Sequence, residues 1–443
     1  MERAVPLGEA ARQAVTTLAA LGLRAELVDA GGGRDPTAWW CGLIGDAGDA
    51  GDTGGAESAG GAGGARVVAS GMGKGRPEQA RVGALFEAVE HYMSGPAGFD
   101  STAVEPVGPP VIAAGPLRAD ACAVLLDGMP GRRMACLRYR PLGAGCELLL
   151  PLFLCAPWYV DTADLRDLAG DDCDYTHLKR YSCNSGSAVG VTVAEALLHA
   201  LNEAIERDAL SLLLIRAFLG SGGFRPRLID PGTLPHGPAR AYAMAEELTG
   251  SPVHLLDITS DAGVPTMLAY TAPAAGRPHR RGAGTSLSPV HAAWRALTEL
   301  VQAALGERLS HSGGPAHGDL AGLARHPALY ACGRFDLTGL LREARVVPFP
   351  PVAEVGGPPG RQVREVVARL AAQGHVAYRR TVCALPGGVT AVHVLVPTLE
   401  RFVLVTDGNL VIPGRRGQAA AAGALPDSGS VCGSMSRNGG SRQ

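Results

Sequence analysis

Several things are scarce in these 443 residues, and each scarcity closes off a class of function. Lysine occurs only at Lys74 and Lys179, arginine carrying the rest of the positive charge. Forty basic residues against 42 acidic ones leave a formal net charge of -2, so no broad basic field attracts nucleic acid or an anionic membrane. The ten cysteines include no CxxC pair and no Cys/His ligand spacing, which predicts buried thiols in a reducing, cytoplasmic setting. No apolar run is long enough to cross a bilayer: Leu148 to Val160 is the greasiest stretch, and it is short and broken by proline. The opening MERAVPLGEAARQAVTT has no apolar signal region. HExxH is missing as well. The pair His199/Glu203 has the i, i+4 spacing of a zinc site but no second histidine on its face, and Cys183 has no local base to make it a nucleophile.

Against these absences, 46% hydrophobic residues supply enough apolar material for a large core. Helix and strand patterns intermingle without a strict βαβ rhythm, predicting an α+β (mixed α/β) fold. Residues 8–29 read as a helix stopped at Gly22 and followed by a short strand, RAELV. Residues 45–65 are nearly all small or polar and predict a disordered surface loop. From Arg66 come a strand, a glycine-rich turn (GMGKG) and a helix starting at Pro77, where the missing N–H costs nothing. A strand-rich stretch (111–155), a second glycine turn (SGSAVG) and a long helix from Val193 to Phe218 follow. Later segments read as a strand pair (HLLDIT, PTMLAY), a helix from Pro289 to Leu309 and two further strands (AVHVLVP, FVLVTD). The expected division is an N-terminal unit over 1–65, a catalytic domain over 66–417 and a disordered tail over 418–443.

The chemistry concentrates on three helices. Glu87 and Glu90 share a face of the first. On the second, Glu195, His199, Glu203 and Glu206 fall within an arc of about 80° on an otherwise apolar helix. Arg295, Glu299 and Gln302 line one face of the third. Taken singly, such stripes are ordinary solvated faces. A buried stripe of carboxylates, however, needs positive charge, and Arg207 and Arg295 do not balance Glu87, Glu90, Glu195, Glu203 and Glu206. Oxygen-seeking Mg2+ supplies the difference and brings phosphate with it. Lys74 and the backbone of SGMGKGRPE then become candidate contacts for a triphosphate, although Gly75 stands where a Walker motif has Ser or Thr.

These segments resemble the YcaO family of ATP-dependent enzymes that activate backbone amides. GKGRPEQARVGALFEAVEHY is similar to its GKG and first ExxE helix, and NSGSAVGVTVAEALLHALNEAIERDAL to its second, ERDA-containing segment. LLDITSDAGVPTMLAY and GAGTSLSPVHAAWRALTELVQ resemble its strand pair and its RALxExxQ helix. The resemblance, which runs from about Arg66 to Gly417, implies that Lys74, Glu195, His199, Arg295 and Glu299 contact ATP with Arg207 beside them. It also implies that Glu87/Glu90 and Glu203/Glu206 hold Mg2+. The implied substrate is a ribosomally made precursor peptide, with a leader-binding partner protein and a homodimer as further expectations. Nucleic acid and membrane are excluded as partners. Azoline formation at Cys, Ser or Thr is the leading reaction, thioamide or macrocyclic amidine formation the alternative, and a catalytically inactive scaffold the reading from another class. The chain ends in RNGGSRQ rather than the Pro-x-Pro-x-Pro tail of many azoline formers, which lowers the expectation of a partner-dependent cyclodehydratase. Asn184, Val191 and Gly83 depart from the family pattern, each removing a hydroxyl or amide expected to face nucleotide or metal.

Overall fold

The computed structural model describes residues 2–46, 65–274, 279–309, 318–351 and 356–425. Helix α1 (Leu7–Ala20) precedes strands β1 (Arg24–Asp29), β2 (Thr37–Asp46) and β3 (Ala65–Gly75), and α2 (Pro77–Ser94) folds back over them. The chain continues through β4 (Val104–Val107), α3 (Pro109–Ala114), α4 (Ala123–Asp127), β5 (Met134–Pro141), β6 (Leu148–Pro151), α5 (Ala163–Leu168), β7 (Ser187–Gly190) and α6 (Val193–Leu214). Next come β8 (Arg227–Ile229), α7 (His236–Thr249), β9 (Val253–Asp257), β10 (Thr266–Thr271), β11 (Arg280–Thr285) and α8 (Pro289–Leu309). The last elements are α9 (Pro327–Arg334), α10 (Thr338–Arg342), β12 (Arg345–Val347), α11 (Pro359–Ala372), β13 (Tyr378–Ala384), β14 (Thr390–Leu395) and α12 (Arg415–Ala421).

Three sheets result, and the architecture is the mixed α+β one expected: β1-β2-β3, β11-β10-β9-β8-β12, and β4-β5-β13-β14-β7 with β6 beside β5. Pairing is antiparallel except between β8 and β12. Each long helix covers a different sheet: α2 lies on β3, α6 on β14 and β7, and α8 on β11 and β10. The boundary expected at residue 65 falls inside the hydrogen-bonded β2–β3 pair. Of the segments expected to be disordered, 47–64 and 426–443 lie outside the described residues, whereas 418–421 belong to α12.

Local expectations fail at four places for physical reasons. GMGKG is part of strand β3 and not a turn. A Cβ at Gly71 would collide with the Ala88 amide, and one at Gly73 with Ala80 O and the Ala84 amide, so these glycines admit a helix backbone against a strand. Residues 111–127, expected to be strand, hold α3 and α4. FVLVTD is a 3-10 helix, its apolar run reflecting burial on all sides. The long helix ends at Leu214 and gives way to a π turn over Ile215–Leu219.

A buried ionic knot fastens α12 to the back of α6. Arg416 donates to both Asp208 oxygens (2.9 and 3.1 Å) and to Asp261 (2.6 Å). Beside it, the buried Glu400 carboxylate accepts from the Gly414 and Gly417 amides (2.9 and 2.6 Å). Desolvation nonetheless pushes the Glu400 pKa up to about 7. Its neutral form therefore suits the fold, and its contribution to stability, complete below about pH 4.5, is lost as pH rises through 7. Relative to wild type, Glu400→Gln is expected to gain up to about 3 kcal/mol between pH 5 and pH 8 in urea unfolding; a constant difference across that range refutes the assignment.

Close approach also fixes α8. A Cβ at Gly284 would strike Ala292 O and the Ala296 amide, and one at Gly282 would strike Ala296 O and the Leu300 amide. Gly284→Val is expected to cost ~1–3 kcal/mol or more in the same measurement, because neither backbone can yield.

Candidate functional site

Three helices, each packed on a different sheet, bring their polar stripes together at one site. Helix α6 is started by Thr192, whose side chain accepts from the Glu195 amide (3.2 Å). Its other faces are apolar and buried, so the stripe Glu195, His199, Glu203, Glu206 is presented along a rigid rod. Glu195 and Glu206 are buried, Glu203 and Arg207 are half-buried, and His199 is exposed along the same stripe. Lys74, near the end of β3, forms an ion pair with Glu299 of α8, and Glu299 also accepts from the Ala283 amide (3.3 Å). Gln302 bridges the same elements by donating to Met72 O (2.6 Å).

The electrostatics of the site are those of crowded carboxylates. Burial pushes Glu90 well above the ordinary carboxylate range, and Glu203 and Glu87 add repulsion. Glu87 is raised by desolvation, with Glu299 opposing its ionisation and Lys74 favouring it. Glu206 is pushed up to about 7 by burial and by Glu299. Against the same desolvation, Lys74 holds Glu299 below its usual value. Arg207 is 3.4 Å from Glu203 and stays protonated through Glu203 and Glu206. Both ExxE pairs thus belong to one network, with Glu90 of α2 facing Glu203 of α6. Among the described residues no three of these groups close into a tight cage.

The other assigned residues also lie here. Arg295 acts on Glu206, His199 and Glu2. Glu195 is engaged by the start of the chain, accepting from Arg3 (3.2 Å) and the Ala4 amide (2.9 Å). The Gly186 amide, from the second glycine turn, donates to Glu203 (3.2 Å).

The family departures read differently in three dimensions. Val191 is buried in the apolar cluster shared with α1 and α2, and Gly83 lies against Gly73 of β3, where an added Cβ would make only an ordinary contact. Asn184 is exposed.

Two residues escaped the sequence reading. Asn202 is 1% exposed, with neither side-chain amide atom partnered among the described residues. It sits about 40° from Glu206 on α6, so the helical wheel already contained the signal. Arg281 of β11 donates to Thr406 (2.9 Å) and lies over the Phe335 ring (4.4 Å). Burial and then Arg207 lower its pKa to about 10. Nothing local in the sequence marks this residue, because its neighbours come from α6, the end of α9 and the segment before α12.

The family model described as YcaO cyclodehydratase, ATP- and Mg2+-binding, matches residues 72–400. A curated relative, an uncharacterized protein in the tfuA 3' region of Rhizobium leguminosarum bv. trifolii, is 29% identical over 243 residues, covering 52% of this chain and 53% of the relative. Among solved structures, a heterocyclase in complex with substrate and cofactor superposes with a TM-score of 0.62 at 18% identity, over 90% of this chain and 54% of that one. A YcaO protein from Methanopyrus kandleri bound with AMPPCP and Mg2+ gives 0.59 at 18% identity, over 91% and 93%. The E. coli microcin synthetase McbBCD complex with bound pro-MccB17 gives 0.56 at 14% identity, over 85% and 88%. This chain spans about half the length of the curated relative and of that heterocyclase. Among the described residues no helix is long and apolar enough to cross a membrane.

Carboxylate repulsion is the physical signature that a cation relieves. Glu90→Gln is therefore expected to leave the melting temperature in EDTA unchanged or raised while at least halving the upward shift produced by Mg2+. Equal Mg2+ shifts in the two proteins argue against Glu90 as part of the metal site.

Proposed function

The chain belongs to the YcaO family, whose members bind ATP and Mg2+, and we propose that it activates backbone amides of a ribosomally made precursor peptide, forming azolines from Cys, Ser or Thr. One observation carries the reading: two ExxE pairs, Glu87/Glu90 and Glu203/Glu206, lie on different helices yet share a single repulsive field. That field fits a cation with oxygen ligands, and Lys74, Arg207 and Arg295 flank it at positions suited to phosphate oxygens.

Glu87, Glu90, Glu203 and Glu206 would hold Mg2+, while Lys74, Glu195, His199, Arg207, Arg295 and Glu299 would contact nucleotide. When bound, ATP supplies a phosphoryl group that makes the amide oxygen a good leaving group. The chain supplies orientation. Glu299 holds the Lys74 ammonium in place, Gln302 ties α8 to β3, and Gly186 steadies Glu203. In the net reaction a substrate hydroxyl or thiol adds to the amide carbon, the amide oxygen departs with phosphate, and the peptide loses one water per ring.

The E. coli McbBCD neighbour is a complex of several proteins with pro-MccB17 bound, which supports a protein partner for peptide recognition here. Mass spectrometry of a candidate peptide incubated with the protein, its partner, ATP and Mg2+ tests the chemistry. Loss of water supports azoline formation, and tandem fragmentation distinguishes a ring at Cys, Ser or Thr from an amidine closed on the N-terminal amine. Exchange of oxygen for sulfur reassigns the reaction to thioamidation, while an unaltered peptide without ATP turnover favours a scaffold. Glu87→Ala and Glu206→Ala are each expected to reduce ATP turnover at least ~100-fold with the fold retained, because each removes charge from the site rather than core packing. Undiminished turnover in both refutes the metal assignment.

A further inference from the structure

Residues 2–4 reach the candidate site. The Glu2 carboxylate accepts from Ser286 Oγ (2.6 Å) and lies 3.3 Å from His291 Nε2. Arg3 is paired with Glu195 and packed over the Phe86 ring, its guanidinium 5.3 Å from the centroid. Ala4 donates its amide to the second Glu195 oxygen. Three consecutive residues therefore engage Glu195 of α6, Ser286 in the segment before α8, and His291 of α8 together.

Desolvation alone would raise the Glu2 pKa. The neighbouring His291 and Arg295, with the Ser286 hydroxyl, overcome it and lower the value to about 2. Glu2 is thus an anion held directly by the Ser286 hydroxyl and the His291 imidazole, with the Arg295 charge favouring its ionised form, surroundings that suit phosphate oxygens equally well. Arg295 is among the residues proposed above to contact nucleotide, so both anions depend on the same cation.

We propose that Ser286, His291 and Arg295 form an anion subsite for a nucleotide phosphate, and that Glu2 is its built-in occupant, displaced when the nucleotide binds. The inference rests on the nucleotide reading of the site. Because residues 2–4 are contiguous, expelling Glu2 also draws Arg3 and Ala4 away from Glu195. A tethered competitor weakens apparent affinity in proportion to the fraction of molecules in which it is seated.

Full-length wild type, Glu2→Gln and, as a control for charge alone, Glu26→Gln on the exposed edge of β1 test the proposal through two readouts. The first is calorimetric titration with Mg2+ and a non-hydrolysable ATP analogue. The second is the rate of brief trypsin cleavage after Arg3, followed by the appearance of a chain beginning at Ala4. Glu2→Gln is expected to bind the analogue about 3- to 10-fold more tightly and to be cleaved faster without nucleotide. Wild type should reach the faster cleavage rate only when the analogue is added, and Glu26→Gln should match wild type. Adding His291→Gln to Glu2→Gln should weaken the analogue again, because the subsite then loses a donor. Equal affinity and equal cleavage in wild type and Glu2→Gln overturn the proposal. Binding by neither protein overturns the nucleotide reading and the displacement with it. That result is distinguishable, because cleavage in Glu2→Gln needs no ligand and still accelerates if the carboxylate contact alone is right.

Discussion

Glu90 of α2 and Glu203 of α6 repel one another at a site that solvent screens poorly, and the surrounding architecture serves to hold that unfavourable pair in place. Neither helix would choose this position for its charges. Each is committed by its apolar faces: α6 to the cluster it shares with α11 and β14, and α2 to the cluster it shares with α1 and the first sheet. Core packing thus carries the electrostatic cost of bringing these carboxylates together. Lys74, Arg207 and Arg295 moderate the repulsion, but burial, together with the neighbouring carboxylates, still raises the pKa values of Glu87, Glu90 and Glu206.

Holding three helices on a common point requires close approach to the sheets beneath them. Glycines serve that purpose twice. Gly71 and Gly73 let α2 lie against β3 where Lys74 emerges, and Gly282 and Gly284 let α8 lie against β11 beneath Arg295 and Glu299. A cation and a carboxylate carried on different elements are thereby brought into contact.

The two ends of the described chain bear on opposite sides of α6. Residues 2–4 reach the site face through Glu195, and Arg416 of α12 grips Asp208 on the back. Asp208 lies two residues after Glu206, so the helix turn carrying one candidate metal ligand is clamped from behind by a buried ion pair. Such a pair adds little net stability once desolvation is counted, yet its bidentate geometry fixes orientation. Placement of the ExxE turn is therefore where its value lies.

Much of this protein is written in local pattern. Helical periodicity determined the three site helices nearly to their ends, and the clustering of Glu195, His199, Glu203 and Glu206 followed from helix geometry alone, since residues on one face remain neighbours wherever the helix goes. The balance of charge likewise implied a cation before any coordinates. Local pattern failed where the deciding contacts came from distant segments. GMGKG reads as a turn because glycine is flexible, and only its pairing with β2 beneath α2 makes it a strand; FVLVTD reads as a strand because it is apolar, and burial of its apolar side chains accompanies its compact turn. Val191 reads in sequence as a lost polar contact, and only the fold shows it buried among apolar side chains. Arg281, the Glu2–His291 contact and the Arg416 knot join residues far apart in sequence, and pairings of that kind are set by tertiary structure, because charge and hydrogen bonding depend on separation in space and not along the chain.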